Sequence, residues 1–262
     1  VFRDRIENGW LGLGGVLIRD VAGTGSLTST QIYGSVAYHQ MLGESSLLTA
    51  GFNVGWANKR IDQSKLTYPD QFDGQFFDAS LPTSVQLLNN SVSYFDMQAG
   101  LNYAYFPTTD IYINAGYSLQ HVNSPKETFF AEDESSRLAL RHIGFINAIL
   151  KMNSKVIINP AAYYTIMAGA SEFEMGMNLA YNLTEHGSKQ IIGGLFYRYG
   201  DALIPTVGLE VNNVRFTFSY DVTTSSLKNF NNSFGADEFN VLDKGVYHPY
   251  NGEIKQTLCP VF

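Results

Sequence analysis

The densest concentration of reactive side chains lies between 61 and 78. It reads Ile61-Asp62-Gln63-Ser64-Lys65-Leu66, then Pro69-Asp70-Gln71-Phe72-Asp73-Gly74, then Phe76-Phe77-Asp78. Four carboxylates, and with Tyr68 four aromatics, fall in fewer than twenty residues. Clustered acids with nearby carbonyls are the donor set of a calcium site, although an EF-hand spacing is absent. The same residues suit a partner-binding surface, or a loop that braces itself with its own hydrogen bonds and folds over whatever lies beneath. The residues alone leave these three open.

A second group of charges, Asp96, Glu172, Glu174, Arg198, Glu210, Arg215, Asp221 and Glu238, sits at alternate positions within apolar segments. On a strand such positions share one face. In a low-dielectric interior they would either line a conduit for ions or solutes or cross-link the interior and plug it. The plug is the better supported. Catalysis has little to stand on. The histidines, His39, His121, His142, His186 and His248, are scattered with no neighbouring nucleophile, and no GxSxG, HExxH or phosphate-cradling glycine loop occurs. Gly12, Gly14 and Gly15 lie within an alternating segment. The lone cysteine, Cys259, has no partner for an internal disulfide and no metal-ligand spacing. The chain therefore reads as a non-enzyme with no cofactor and no metal.

The elements that position these residues are strands. Leu48, Ala50, Phe52, Val54 and Trp56 alternate with Thr49, Gly51, Asn53, Gly55 and Ala57. Phe95, Met97, Ala99, Leu101, Tyr103 and Tyr105 alternate with Asp96, Gln98, Gly100, Asn102 and Ala104. Soluble strands usually run to about 5 or 6 residues, whereas a tilted bilayer-crossing strand needs about 9 to 11. These segments reach the longer value. Their polar wall is mostly small or amide residues and their apolar wall is bulky, which suits a lumen on one side and lipid on the other. Charged residues are only 16% of the 262, against roughly 25% in soluble domains. The formal charge of −7 argues against nucleic acid as a partner.

The pattern predicts an all-β, transmembrane antiparallel β-barrel. Twelve strands are expected over 10–19, 27–39, 47–59, 94–106, 111–122, 137–150, 156–167, 173–182, 190–199, 202–211, 214–223 and 237–242. Pro160 and Pro205 each remove a ladder donor, so irregular pairing is expected in the seventh and tenth strands. Short turns follow even-numbered strands, and the long connections, 60–93, 123–136 and 224–236, all follow odd-numbered ones. Outer-membrane barrels have short periplasmic turns and long outer loops. The long loops are thus expected outside the cell and both ends in the periplasm. Trp10, Trp56, Tyr103, Tyr105, Tyr197 and Tyr199 fall near strand ends and read as an aromatic girdle. The first residue is Val1, with no leader, so further N-terminal chain is expected, bringing the barrel to about 14 strands. The whole of 1–262 reads as one domain, with 245–262 as a periplasmic tail.

Several stretches resemble the PorP/SprF family of type IX secretion system membrane proteins of the Bacteroidota. The likeness begins at Gly12-Leu13-Gly14-Gly15 with Asp20-Val21-Ala22-Gly23-Thr24-Gly25 and continues through Thr30-Gln31 and Ala37-Tyr38-His39. It is densest at Ile61-Asp62, Ser64-Lys65-Leu66 and Asp70-Gln71-Phe72-Asp73. It returns at Phe196-Tyr197-Arg198, Asp201-Ala202, Ser219-Tyr220-Asp221 with Ser225 and Leu227, and Cys259-Pro260-Val261-Phe262. The resemblance implies an outer-membrane barrel of the secretion and gliding machinery that binds and retains the C-terminal domain of a secreted adhesin at the cell surface. Its partners would be that domain, other type IX components and the bilayer. It supplies no catalytic residues. A partner surface would fall on Asp62, Ser64, Lys65, Asp70, Gln71, Phe72 and Asp73, joined by the adjacent Phe76 and Phe77. Alternatives are a small-solute channel or transporter of the outer membrane, and a scaffold linking the outer membrane to periplasmic secretion rings through the short turns and the tail around Cys259.

Overall fold

A computed structural model describes residues 8–23, 25–85, 89–129, 136–184 and 188–243. The tail 245–262 with Cys259, and two of the histidines, His186 and His248, lie outside the described residues. All twelve expected strands form: β1 Gly9–Ala22, β2 Leu27–Met41, β3 Ser46–Arg60, β4 Ser91–Thr108, β5 Ile111–Gln120, β6 Arg141–Lys151, β7 Val156–Met167, β8 Ala170–Asn182, β9 Lys189–Arg198, β10 Ala202–Val211, β11 Val214–Thr223 and β12 Phe234–Asp243. They make one sheet in chain order, with β1 and β12 as its edge strands. The one α-helix among the described residues is Lys228–Asn231, in the connection before β12.

Turn chemistry follows the residues. Asn212 and Asn213, both left-handed at φ 50 and 73, close β10 on β11. This is the twist a two-residue hairpin needs, and asparagine tolerates it. The three long connections, 61–90, 121–140 and 224–233, all follow odd-numbered strands, as the sequence led us to expect.

One local expectation is corrected, one is narrowed and one holds. The sixth strand starts at Arg141, not Arg137. Residues 137–140 belong to the loop, where Arg137 bridges Lys126 and the Leu138 N–H donates to the Pro125 carbonyl. Pro160 causes no irregularity on the β8 side, where it pairs with Met177 in unbroken register. Pro205 behaves as expected: it pairs with Leu195 of β9, but the β11 pairing skips Ile204 and Pro205. A register shift between Tyr220 and Val222 follows on the β12 side.

The chain divides into two compact units. The first takes β1 and β2 as far as Gln40, Thr49–Leu101 and Ser118–His142. It contains the β1–β2 ladder, from Gly9 opposite Gln40 to Ala22 opposite Leu27, and the two longest loops. The second takes Met41–Leu48, Asn102–Tyr117 and the chain from Ile143 onward, including the continuous ladders from β7 to β12.

In both units the alternation becomes two unlike faces. On β8, Phe173, Met175, Met177, Leu179 and Tyr181 are exposed, and on β4, Phe95, Met97, Leu101, Tyr103 and Tyr105 are exposed while Tyr94, Asp96 and Ala104 are buried. Among the described residues 47 large apolar side chains are exposed and only nine apolar ones are buried. Each exposed Leu or Phe forgoes about 1.5 to 3 kcal/mol of burial in water, so this surface is built for hydrocarbon. Trp10 departs from the expected girdle. It stacks on His39 with centroids 5.1 Å apart, on the face that also carries Tyr33.

Candidate functional site: a braced loop above paired charges

The first unit carries the 61–90 loop. Its start is docked on the β1–β2 turn. The Asp62 N–H donates to the Gly25 carbonyl (2.9 Å), the Lys65 Nζ donates to the Ser26 Oγ (2.9 Å), and Leu66 and Ile61 fill the space beside Gly25 where a Cβ would stand. Gly25 and Ser26 of the turn and the segment from Ile61 to Leu66 are thereby two halves of one contact.

Beyond that dock the acids turn inward on their own loop. Asp62 accepts from the Ser64 hydroxyl and N–H, Asp73 from the N–H groups of Gln75 and Phe76, and Asp78 from the Ser80 hydroxyl and N–H. Asp70 reaches across the loop to Ser84 and Thr83. These donors hold all four carboxyls below the usual aspartate range: the Ser64 hydroxyl for Asp62, the Ser84 N–H for Asp70, the Phe76 N–H for Asp73 and the Ser80 hydroxyl for Asp78. Gln71 is buried, donating to the carbonyls of Ala79 and Leu81 and accepting from the Tyr68 N–H. Among the described residues no three acids or histidines converge as a cation would need.

What the brace presents outward is aromatic. Phe72 and Phe77 face each other across a β-bridge, closed by hydrogen bonds between Asp73 and Phe76 and between Asp78 and Gln71. Phe72, Phe76 and Phe77 are 54%, 73% and 53% exposed. The second long loop is tied to the first, since the Asn89 N–H donates to the Phe129 carbonyl and Glu127 pairs with Lys59 of β3 at 2.6 Å.

Beneath the loops lies Asp96, fully buried. It accepts from the Tyr33 hydroxyl (2.7 Å) and pairs with His121 Nδ1 (2.9 Å). Tyr33 can lie flat here because β3 has glycine at 55; a Cβ there would overlap its ring. His121 is left-handed at φ 58, and Asn123 next to it donates to the Phe95 carbonyl and accepts from the Met97 N–H. The root of the second loop is thus stapled to β4. Neither Tyr33 nor His121 was singled out from the sequence. Counting back equally along β4 and forward along β5 from the turn at 109–110 sets His121 opposite Gln98, two positions along the same strand from Asp96.

The other seven inner-face charges are in the second unit. Arg198 on β9 collects four acids: Asp221 (2.8 Å), Glu174 (3.3 Å), Asp201 (3.4 Å) and Glu172 (4.0 Å). The sheet register places Glu174 directly opposite Arg198. Arg215 and Glu210 are likewise opposite each other and meet at 2.7 Å. Glu238 joins neither group; it accepts from Asn240 on its own strand. Asp201 was missed because it lies in the turn before β10, where alternation carries no signal. The sequence-derived charges therefore form three groups and not one continuous acidic lining.

No curated protein matches the chain. A solved structure, the crystal structure of the Ralstonia pickettii toluene transporter TbuX, is similar at 12% identity with a TM-score of 0.49, over 84% of this chain and 74% of that one. The family described as type IX secretion system membrane protein PorP/SprF matches residues 1–240. The chain belongs to the PorP/SprF family of type IX secretion system membrane proteins.

Proposed function

We propose that this protein is a non-enzymatic outer-membrane barrel domain that binds the C-terminal domain of a secreted adhesin and retains it at the cell surface, with the long loops extracellular. The observation that carries the reading is the loop at 61–85. Its acids and Gln71 are used to hold its own backbone, and three phenylalanines are held outward on that frame. An exposed aromatic costs free energy unless something covers it, and a pre-ordered loop loses little further entropy on binding. Asp62, Ser64 and Lys65 serve the dock, and Asp70, Gln71 and Asp73 the brace, so the contact surface is Phe72, Phe76 and Phe77. The interior favours an anchor over a conduit, because Arg198 and Arg215 are already neutralised by neighbouring acids.

The intact protein extracted from its own cells in mild detergent should carry an adhesin C-terminal domain. A Phe76→Ser, Phe77→Ser variant should lose it while remaining folded and inserted. If wild-type protein never carries such a domain, and its deletion leaves surface adhesin unchanged, the reading fails.

A further inference from the structure

The two edge strands carry charges that neither the inner-face groups nor the loop surface uses. On β1, Val16 stands opposite the buried Tyr33 and so faces inward, which leaves Leu13, Leu17 and Arg19 on the outer face. On β12, Glu238 and Asn240 face inward opposite Ser219 and Thr217, which leaves Asp237 outward opposite Tyr220 and Phe239 outward opposite Phe218. Arg19 and Asp237 are both exposed, and neither makes a hydrogen bond or ion pair among the described residues. Every other lysine, arginine or acid at an outward strand position among the described residues, namely Arg60, Lys189 and Asp243, stands at a strand end.

A charge that faces hydrocarbon is costly, so membrane proteins pair such groups. Charges on edge strands also deter mispairing, but these two are opposite in sign and matched in position. Arg19 stands three residues before Ala22, where β1 finishes, and Asp237 three residues after Phe234, where β12 begins. In an antiparallel sheet in chain order both of these termini belong to the end at which odd-numbered strands finish.

Further from that end the two outer faces are apolar and unlike in shape. Across β10, β11 and β12 the rows Val207, Phe218, Phe239 and Leu209, Phe216, Val241 wall an apolar groove of about 340 Å³. β1 offers a ridge instead, with Leu13 and Leu17 at 72% and 71% exposure on either side of Gly15. Leu17 lies two residues from Arg19 as Phe239 lies two from Asp237, so pairing the charges carries Leu17 to the first row of the groove. Gly15, two residues on, leaves room for Val241 in the second row.

We propose that these two faces bind each other in neighbouring copies of the chain. The outer face of β1 in one protomer seats on the outer face of β10 to β12 in the next, with Arg19 against Asp237 and Leu17 in the groove. The two surfaces differ, so the contact is heterologous and each protomer keeps one of each for a further copy. Two β12 faces meeting directly would oppose Asp237 to Asp237, which disfavours the isologous arrangement.

The test uses two intact chains carrying Cys259→Ser, expressed together in outer membranes under different tags, one with Arg19→Cys and the other with Asp237→Cys. Mild oxidation should join the two tags through a disulfide that a reductant reverses, with a yield at least tenfold above that of Arg19→Cys with Leu179→Cys on the outer face of β8. A yield no higher than this control overturns the proposal. A charge exchange gives a second reading that needs no cysteine. Arg19→Asp should abolish the multi-copy species seen by native mass spectrometry in mild detergent, and adding Asp237→Arg to the same chain should restore them. A wild-type protein found only as single copies, or an exchange that restores nothing while both variants keep the gel mobility of the folded form, also overturns it.

Discussion

Asp96→Ala is the most informative single perturbation, because it strips the short-range partner from Tyr33 and His121, and a longer 3.4 Å bond from the Gln98 amide, without touching them. Tyr33 is 8% exposed, so its hydroxyl would bear nearly the full penalty of a buried unsatisfied group, about 1 to 3 kcal/mol. The His121 side chain retains 16% exposure and would recover part of its loss from solvent, which brings the sum to about 2 to 4 kcal/mol. For a chain of this size each kcal/mol moves a two-state midpoint by about 2 to 4 °C, so the expected drop is about 4 to 16 °C. Tyr33→Phe removes one bond and leaves Asp96 still paired with His121, so its drop should be the smaller of the two. Thermal unfolding in detergent micelles, followed by the gel mobility of the folded form against the boiled one, measures both. Limited proteolysis of 121–140 gives a second readout, since the His121 staple holds the root of that loop and its loss should expose the loop before the strands melt. If Asp96→Ala melts with the wild type, or Tyr33→Phe costs more than Asp96→Ala, the buried acid is not what organises this region.

Three further outcomes are expected. Gly55→Ala places a methyl group inside the Tyr33 ring and should destabilise strongly, while Tyr33→Ala in the same chain should recover much of the loss; additive losses measured by the same melting assay would refute the contact. Arg198→Ala leaves Glu172, Glu174, Asp201 and Asp221 facing one another and should destabilise, whereas Arg198→Lys should be milder; equal melting losses for the two variants would argue against charge neutralisation as its role. The four loop aspartates have folded-state values below their unfolded ones. Their stabilisation is therefore fully present above the ordinary aspartate value and is lost as pH falls through the depressed ones. Proteolysis within 61–85 should stay slow at neutral pH and rise only below about pH 4, and a rise already near pH 6 would assign the brace to other groups.

The strands were legible because two faces with different solvents impose a two-residue period that few other structures sustain for so long. The same logic misplaced the start of the sixth strand. Leu138 and Leu140 continue the apolar alternation, and extended backbone in a loop gives the same pattern as extended backbone in a ladder; only the bond from Leu138 back to Pro125 distinguishes them. Pro160 was read as a disruption of the seventh strand, and on the β8 side its missing donor disturbs nothing. The loop at 61–85 was legible as a site but not as a mechanism. Its acids looked like ligands or contacts, and they act as caps because Ser64, Gln75, Ser80 and Ser84 bring donors within reach once the chain turns.

The interior shows where pattern reading stops. A charge at an alternate position was enough to assign Asp96, Arg198 and Arg215 to one face, but which charges meet depends on register, and register depends on turn length more than on the charges themselves. Glu210 and Arg215 meet because Asn212-Asn213 makes a two-residue hairpin, whereas Glu238, beyond a long connection and a shifted register, finds only its own strand. It follows that substitutions altering turn length should disturb the paired interior more than conservative replacement of the charges: one residue inserted between Asn212 and Asn213 would turn Arg215 to the lipid face and leave Glu210 buried without its cation.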